Sequence, residues 1–549
     1  MFVKNNEKKI TLNIHMFVFI CIAFLTILND NISYFTNLKY EISLLISIIL
    51  VVILNIFLFK NFFEVRSNFN ILDLLAIIPY TIIYFIIMLD IDDFVDAISY
   101  HLYNFKNPFI DRINFDLLPS SSFFFPLGDR MNYIFVNILG YRFGRILSLY
   151  SSIIIFYQIK NFMQLIIPKI AEKTKVLIAT IILYTFSLNL CIGEYSIDIF
   201  STTILLELLY IACINKNYGN LNAKKCLYLA TFLAGLATGI KISNIVFAIL
   251  ILCYMIIELL KNQKKIKIYD IFALTILFFG PFVIYMINAY IQTKNPIFPF
   301  YNFIFKSDYY EMVSSKDTRL GAKNLIEMIL WPIVITVNPL RGDDIRYIVD
   351  PVWAVGYIVS ICYLIKSRKM TLIVLNVLTT IAWIIFVCGY VRYGMFIAIS
   401  YFLIEIYLLN KIIVELKERY NKSGTIKIIL KLILIIIIIT QITLSVALGI
   451  VYMCIKVNNS FYVFNYKNNV QKILIDDKVY TIEKDFISEK YDINGVWISS
   501  RYNTACIDLI RNEDDPIYNM DIILEYDPMM VKSSYSQKSK KLFYERIKR

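Results

Sequence analysis

The sequence predicts an all-α polytopic membrane protein with about thirteen transmembrane helices, external loops bearing interfacial helices, and a small C-terminal extracytoplasmic α+β domain. Three observations lead there. Apolar runs of about 20 residues, long enough to cross a hydrocarbon core, recur along nearly the whole chain. Only 18% of the 549 residues are charged while 58% are hydrophobic, against about a quarter charged in soluble domains. Lys and Arg gather in alternate connections, the pattern that orients a membrane protein. Mean hydropathy is +0.63, and a single soluble core stops growing near roughly 250–300 residues. A bilayer is the solvent that accommodates such a chain.

The candidate spans are roughly 11–29, 42–59, 71–89, 141–158, 176–192, 199–214, 226–240, 242–260, 269–291, 351–365, 370–389, 393–410 and 428–455. The first follows a basic flank, MFVKNNEKK, and no small-residue cleavage site follows it, so it reads as an uncleaved helix. Lys4, Lys8 and Lys9 precede it; Lys60 and Arg66 follow the second span; Lys160, Lys169, Lys173 and Lys175 follow the fourth. Lys216, Lys224 and Lys225, then Lys261, Lys264, Lys265 and Lys267, then Lys366, Arg368 and Lys369, and finally Lys411, Lys417, Arg419, Lys422 and Lys427 continue on the same side. The positive-inside rule names that side cytoplasmic. Thirteen spans with the N-terminus inside place the segment from about 457 to 549 outside. Its short alternations, KVYTI and DIILEY, read as strands of a small soluble domain.

Two expected external stretches stand out by length, about 90–140 and 293–350, and loops this long are usually functional or carry interfacial helices. LIEMILWPIVITV (325–337) is apolar but short and holds Pro332, so it reads as an interfacial or re-entrant helix. In TKNPIFPFYNFIF (293–305), Pro296 and Pro299 stop the ninth helix. Its aromatic rings suit the headgroup interface or the stacking of a sugar face.

Composition also excludes. The net charge of +13 is explained by the orienting Lys and Arg, so no nucleic-acid partner is expected. Most of the nine cysteines lie in apolar runs and no CxxC pair occurs, which disfavours disulfides and zinc. Two histidines, His15 and His101, leave little for His-based metal chemistry. No Walker loop, GxSxG elbow, HExxH or dinucleotide fingerprint is present.

The residues suited to chemistry sit at the expected outer boundary. Asp90, Asp92, Asp93 and Asp96 crowd the end of the third span, and Tyr100 and His101 follow. On a helix starting near Asp92, Asp93 and Asp96 share one face. They fit either a capped helix start or a general base raised by desolvation and like charge; spacing alone leaves both open. CIGEYSIDIF carries Glu194 and Asp198 in a very short turn, with Asp198 at the start of the sixth span, where a helix cap is the simpler reading. Lys241 lies at a sharp turn between two short helices, Arg392 opens the twelfth span, and Arg341 lies in NPLRGDD. Boundary charges are functional candidates by default, and snorkelling to headgroups is the alternative.

Several of these segments resemble GT-C-type glycosyltransferases, polytopic enzymes that take sugars from polyprenyl-phosphate carriers and include protein O-mannosyltransferases and lipid A aminoarabinose transferases. DAISYHL (96–102) followed by PLGDRMNYIFVNILG (126–140) resembles their first external loop. GLATGIKISN (235–244) is similar to their GxxxGxK turn, NPIFPFYN (295–302) to an NPxFPxxN segment, and RYGMF (392–396) to the RY opening of a late helix. The resemblance covers roughly residues 70–415. It leaves out residues 1–70 and the expected C-terminal domain at 457–549, and marks 71–456 as the family-like core.

The resemblance implies a polyprenyl-phosphate-linked sugar as donor, an extracytoplasmic glycan, lipid or protein as acceptor, and residence in the bacterial cytoplasmic membrane. It implies Asp93 or Asp96 as the base, and Asp198, or Glu194 with a shifted register, as a second acid. Here the acidic loop follows the third helix instead of the first, and a longer cluster replaces the usual acidic pair, so both bases stay open. Tyr100, His101, Lys241, Arg341, Arg392 and Tyr393 complete the implied substrate-binding set. Lys241 and Arg392 would neutralise the departing phosphate. An acidic cluster is compatible with a divalent ion, and the sequence requires none. A polysaccharide polymerase or ligase relying on external arginines is the first alternative, and a transporter or flippase the second. No internal repeat of the kind transporters carry is visible.

Overall fold

The computed structural model describes residues 10–61, 63–89, 101, 104–105, 108–110, 124–215, 220–261, 266–307, 321–342, 348–366, 370–419, 425–474, 495–498 and 521–524. Strand β1 (Ile10–Asn13) leads into α1 (Ile14–Thr36), and α2 (Tyr40–Asn61) returns to β2 (Phe63–Arg66). The two strands pair in parallel from Ile10↔Phe63 to Asn13↔Arg66, closing the base of the first helical hairpin.

The chain continues through α3 (Asp73–Ile87), α4 (Leu127–Phe143), α5 (Ile146–Ile166), α6 (Glu172–Leu183), α7 (Phe186–Asn189), α8 (Asp198–Asn215), α9 (Asn220–Ile240) and α10 (Ile245–Lys261). Then come α11 (Ile268–Phe279), α12 (Val283–Thr293), α13 (Asn302–Phe305), α14 (Leu325–Val337), α15 (Val352–Lys366), α16 (Thr371–Phe386), α17 (Met395–Arg419) and α18 (Thr425–Leu474). Strands β3 (Gly495–Ile498) and β4 (Asp521–Leu524) pair in parallel in the tail.

Each expected span falls on one or more of these helices. Among the described residues, five stretches are long and apolar enough to cross a membrane unaided: Ile14–Thr36, Ile146–Ile166, Ile242–Lys261, Val391–Glu418 and Ile428–Asn458. The chain is a multi-pass membrane protein. Helix α8 is buried nearly all round, from Asp198 through Leu209, and forms the centre. A helix apolar on every side belongs in such a position. By contrast α2 and α18 show Leu45, Ile53, Leu430 and Ile436 outward, as lipid-facing helices do.

Three boundaries depart from the sequence reading. The expected fourth span, 141–158, begins inside a break: Gly140 takes φ 75°, and the helix proper starts at Ile146. The expected ninth span, 269–291, is two helices bent by 70° at Gly280 and Pro281. Pro281 has no N–H and its ring clashes with the preceding turn, so a straight helix cannot pass through it. The last helix runs on to Leu474, past the boundary expected at 457. Of the two strand-like alternations in the tail, KVYTI lies outside the described residues and DIIL forms β4.

Elsewhere the local chemistry acts as read. After α12 the chain turns through Pro296 and Pro299, and Asn295 and Asn302 hold the turn. Asn295 donates to the Phe300 carbonyl at 2.9 Å, and Asn302 receives the Ser307 N–H at 2.8 Å. Helix α14 spans about 20 Å at its length, short of a hydrocarbon core near 30 Å. It exposes Leu325, Ile326 and Ile329 and buries Trp331 and Ile335. Helices α9 and α11 touch at Gly235, where a Cβ would lie 2.2 Å from the Phe278 carbonyl oxygen.

Asp350 closes the bundle just ahead of α15. Its carboxylate accepts from Ser187 N at 3.0 Å, Ser187 Oγ at 2.9 Å, Ser445 Oγ at 2.5 Å and Val352 N at 3.0 Å. Replacing it strands these buried donors, at about 1–3 kcal/mol for an unsatisfied group. Asp350→Ala is expected to lower the thermal unfolding midpoint of purified protein by several degrees, and Ser445→Ala by clearly less. Equal midpoints for all three proteins would contradict the contact as drawn.

Candidate active site

Helix α8 starts at Asp198 after a turn that reverses through Gly193 at φ 73°. The Asp198 N–H donates to Ser196 Oγ at 3.3 Å, and that hydroxyl donates to Asp198 Oδ2 at 2.9 Å. The two bonds make a short serine turn just ahead of the helix. Helix α9 ends at Ile240, and Lys241 adopts extended backbone before the short 3-10 turn Ile242–Asn244. Asn244 fastens that turn, donating to the Ala237 carbonyl and to Ser201 Oγ, each at 2.8 Å.

Arg392 arrives from a third direction. Cys388 and Gly389 both take positive φ ahead of the 3-10 turn Val391–Gly394, which leads into α17. Two buried tryptophans hold this corner: Trp331 Nε1 donates to the Gly389 carbonyl at 3.1 Å, and Trp383 Nε1 to the Tyr390 carbonyl at 2.8 Å. A Cβ at Gly389 would lie 1.8 Å from Trp331 Nε1, so only glycine fits there.

These three corners meet. Lys241 Nζ lies 2.5 Å from Asp198 Oδ1, Arg392 Nη1 lies 4.0 Å from Asp198 Oδ2, and the Lys241 ammonium sits 3.4 Å from the centroid of the Tyr393 ring. Asp198 is 3% exposed and Arg392 5%. Two cations face one carboxylate in a water-poor setting, beside an aromatic ring. Such a centre suits an oxyanion: Lys offers a point charge and Arg a planar fork.

The other expected site residues divide. Glu194 pairs with Lys456 of α18 at 3.1 Å, beside the Asp198 turn. His101 is buried and its Nδ1 lies 2.6 Å from Asp129, which also accepts from Asn104 at 2.9 Å. Arg341 bonds Glu327 at 2.8 Å and the Gly321 carbonyl at 3.0 Å, and the Gly342 carbonyl after it accepts the Val391 N–H at 3.1 Å, next to Arg392. Asp93, Asp96 and Tyr100, with Asp90 and Asp92, lie outside the described residues. Among the described residues no three His, Cys, Asp or Glu side chains stand together as a metal site.

Sequence reasoning missed the groups that seat the first long loop. Arg130 holds Asp30 of α1, with Nη2 at 2.7 Å from Oδ1, and also donates to the Phe105 carbonyl. Tyr285 of α12 donates to Asp30 Oδ2 at 2.7 Å. Asn288, one turn on, accepts the Ile110 N–H at 2.7 Å. The start of α4 thus carries the loop through two adjacent residues, Asp129 and Arg130. It also packs against the site, since a Cβ at Gly128 would lie 2.7 Å from Ile197. The DR pair inside PLGDRMNY and the lone acid at the end of the first apolar run were the signals available.

The pair predicts a specific stability pattern. Asp198→Asn removes the carboxylate that Lys241 and Arg392 face and is expected to cost about 3 kcal/mol or more. Removing the pair together, Asp198→Asn with Lys241→Met, is expected to recover part of that loss. Thermal unfolding of the single and double variants checks this, and simple additivity would contradict it.

No family model matches the sequence, and no curated protein matches it. Among solved structures, the chain is similar to ArnT from Cupriavidus metallidurans in the apo state, at 9% identity and a TM-score of 0.45, over 83% of this chain and 86% of that one. It is also similar to the oligosaccharyltransferase of Archaeoglobus fulgidus in the apo form, at 12% identity and a TM-score of 0.38, over 83% of this chain and 65% of that one. With both scores below 0.5, a functional assignment rests on the residues of the site.

Proposed function

We propose that the protein is a membrane glycosyltransferase that moves a sugar from a polyprenyl-phosphate carrier to an extracytoplasmic envelope glycan, lipid or protein. The observation that carries this reading is the convergence of Lys241 and Arg392 on Asp198. A sugar leaving its carrier releases a phosphate whose negative charge grows through the transition state, and fixed cations stabilise that charge as it develops. In this scheme Asp198 orients Lys241 and Arg392 between turnovers. Tyr393, packed against the ammonium, keeps the lysine extended towards the carrier. The bilayer-embedded helices leave the polyprenyl tail in lipid while its headgroup reaches the site.

The acceptor hydroxyl needs a base. The acidic stretch that follows α3 supplies it, with Asp93 or Asp96 taking the proton as the hydroxyl oxygen attacks the anomeric carbon. The new glycosidic bond forms as the bond to the phosphate oxygen breaks, and one displacement inverts the anomeric carbon. Tyr100 and His101 follow the base in sequence and would face the sugar or acceptor; Glu194 and Arg341 complete the proposed rim. In this reading the site faces outward from the bacterial cytoplasmic membrane, and the distribution of basic residues supports that orientation.

Mass spectrometry of envelope glycans tests this in a strain lacking the protein. The strain is expected to lose one glycosyl addition, restored by the full chain. Asp93→Asn or Asp96→Asn, whichever removes the base, and Lys241→Gln should each reduce the product about a hundredfold at normal membrane abundance. Full activity of both Asp variants, with Arg341→Gln inactive, would favour a polymerase or ligase. Solute uptake by reconstituted protein without any glycosyl product would sink the enzyme reading.

A further inference from the structure

The ion pair at Asp198 depends on the turn before it, and that turn is seated on a residue outside the pair. Arg145 occupies the break between α4 and α5, directly after Gly144, and is 1% exposed. Its Nε donates to the Arg142 carbonyl at 3.0 Å, and its Nη2 donates to the Met88 carbonyl, just past α3, at 2.9 Å. Its Nη1 donates to the Gly193 carbonyl, and its Cζ lies 5.9 Å from the centroid of the Tyr195 ring. One planar side chain therefore joins the break, the end of α3 and the turn that carries Asp198. Gly144 adds a second contact with the same turn, for a Cβ there would lie 2.8 Å from Tyr195 Oη. Tyr195 in turn packs edge-on to Phe105 at 5.1 Å, beside the anchored first loop.

We propose that Arg145 is a positioning residue for the Asp198–Lys241 centre: it fixes the Gly193 carbonyl, and with it the register of Ser196 and Asp198, so that the two cations stand ready for a phosphate. The proposal rests on the reading of that centre as the carrier-phosphate site. Its chemistry requires arginine. A guanidinium presents donors along fixed directions in one plane, whereas an ammonium is a point charge on a flexible stem and cannot reproduce that fork. Lysine at 145 would keep the charge and lose the geometry.

The test uses the purified full chain and its Arg145→Lys and Arg145→Gln variants, with Lys241→Gln as the reference for a damaged site. Binding of a synthetic polyprenyl phosphate is followed by tryptophan fluorescence, since Trp331 and Trp383 hold the Arg392 corner. Amide hydrogen exchange is followed across the chain. Arg145→Lys is expected to weaken binding about tenfold and to speed exchange in the peptide spanning 190–198, with exchange in the rest of the bundle unchanged. Unaltered binding and exchange in Arg145→Lys would overturn the proposal. So would exchange accelerated throughout the bundle with binding intact, the pattern of a plain structural staple. Should the lysine variant fail to accumulate, Arg145→Gln is read by the same criteria. If wild-type protein binds no polyprenyl phosphate, the carrier reading fails on its own. Exchange confined to 190–198 then still supports the clamp, and uniform exchange refutes it.

Discussion

A charge taken out of water must be matched by another nearby, and the architecture around the candidate site is organised on one such match, Asp198 with Lys241. The carboxylate opens the most buried helix, and the ammonium closes the helix that follows it. Neither can move without leaving its partner stranded in a medium where an uncompensated ion costs several kcal/mol. The surrounding devices serve that match. Asn244 fixes the lysine's turn, two tryptophan N–H groups fix the arginine's corner, and Arg145 fixes the turn of the acid. Each donates to a backbone carbonyl, so the ionic groups inherit precision from the backbone held around them.

Much of this centre was legible because its members sit at helix ends, where sequence speaks most directly. Asp198 was read as a helix start from the very short CIGEYSIDIF turn, and Lys241 as a charge at a sharp turn between two short helices. Asp198, Lys241 and Arg392 were therefore nameable as boundary charges, and Tyr393 through the resemblance of RYGMF. What could not be read was partnership over distance. Periodicity says which face of a helix is apolar, and leaves open which other helix stands opposite. The sequence singled out Arg341, but not that Glu327, fourteen positions earlier, pairs with it. Arg130 and Asp30 are 100 positions apart, and nothing in either neighbourhood points to the other. The bend at Gly280–Pro281 was written in the sequence but masked by unbroken hydrophobicity, which measures solvent preference and is blind to a missing N–H.

The first hairpin shows how family likeness and physical integration differ. Residues 1–70 lie outside the motifs that resemble glycosyltransferases, and α2 turns a lipid-facing surface outward. Yet α1 donates Asp30 to Arg130 and Tyr285, so the hairpin is bonded to the segment that carries the loop ahead of the site. Arg130 also stacks near Tyr40 and Tyr133, at 5.2 and 5.0 Å from the ring centroids, which ties α2 into the same knot.

That knot constrains how the protein is made. Asp30 leaves the ribosome long before its partners, which lie 100 and 255 positions downstream. The first helix must therefore enter the bilayer with an unpaired carboxyl near its far end, where headgroup water can hydrate it. Its residence there is provisional until α4 supplies the guanidinium and α12 the phenol. The order of synthesis thus separates the placing of α1 from the pairing of its buried acid.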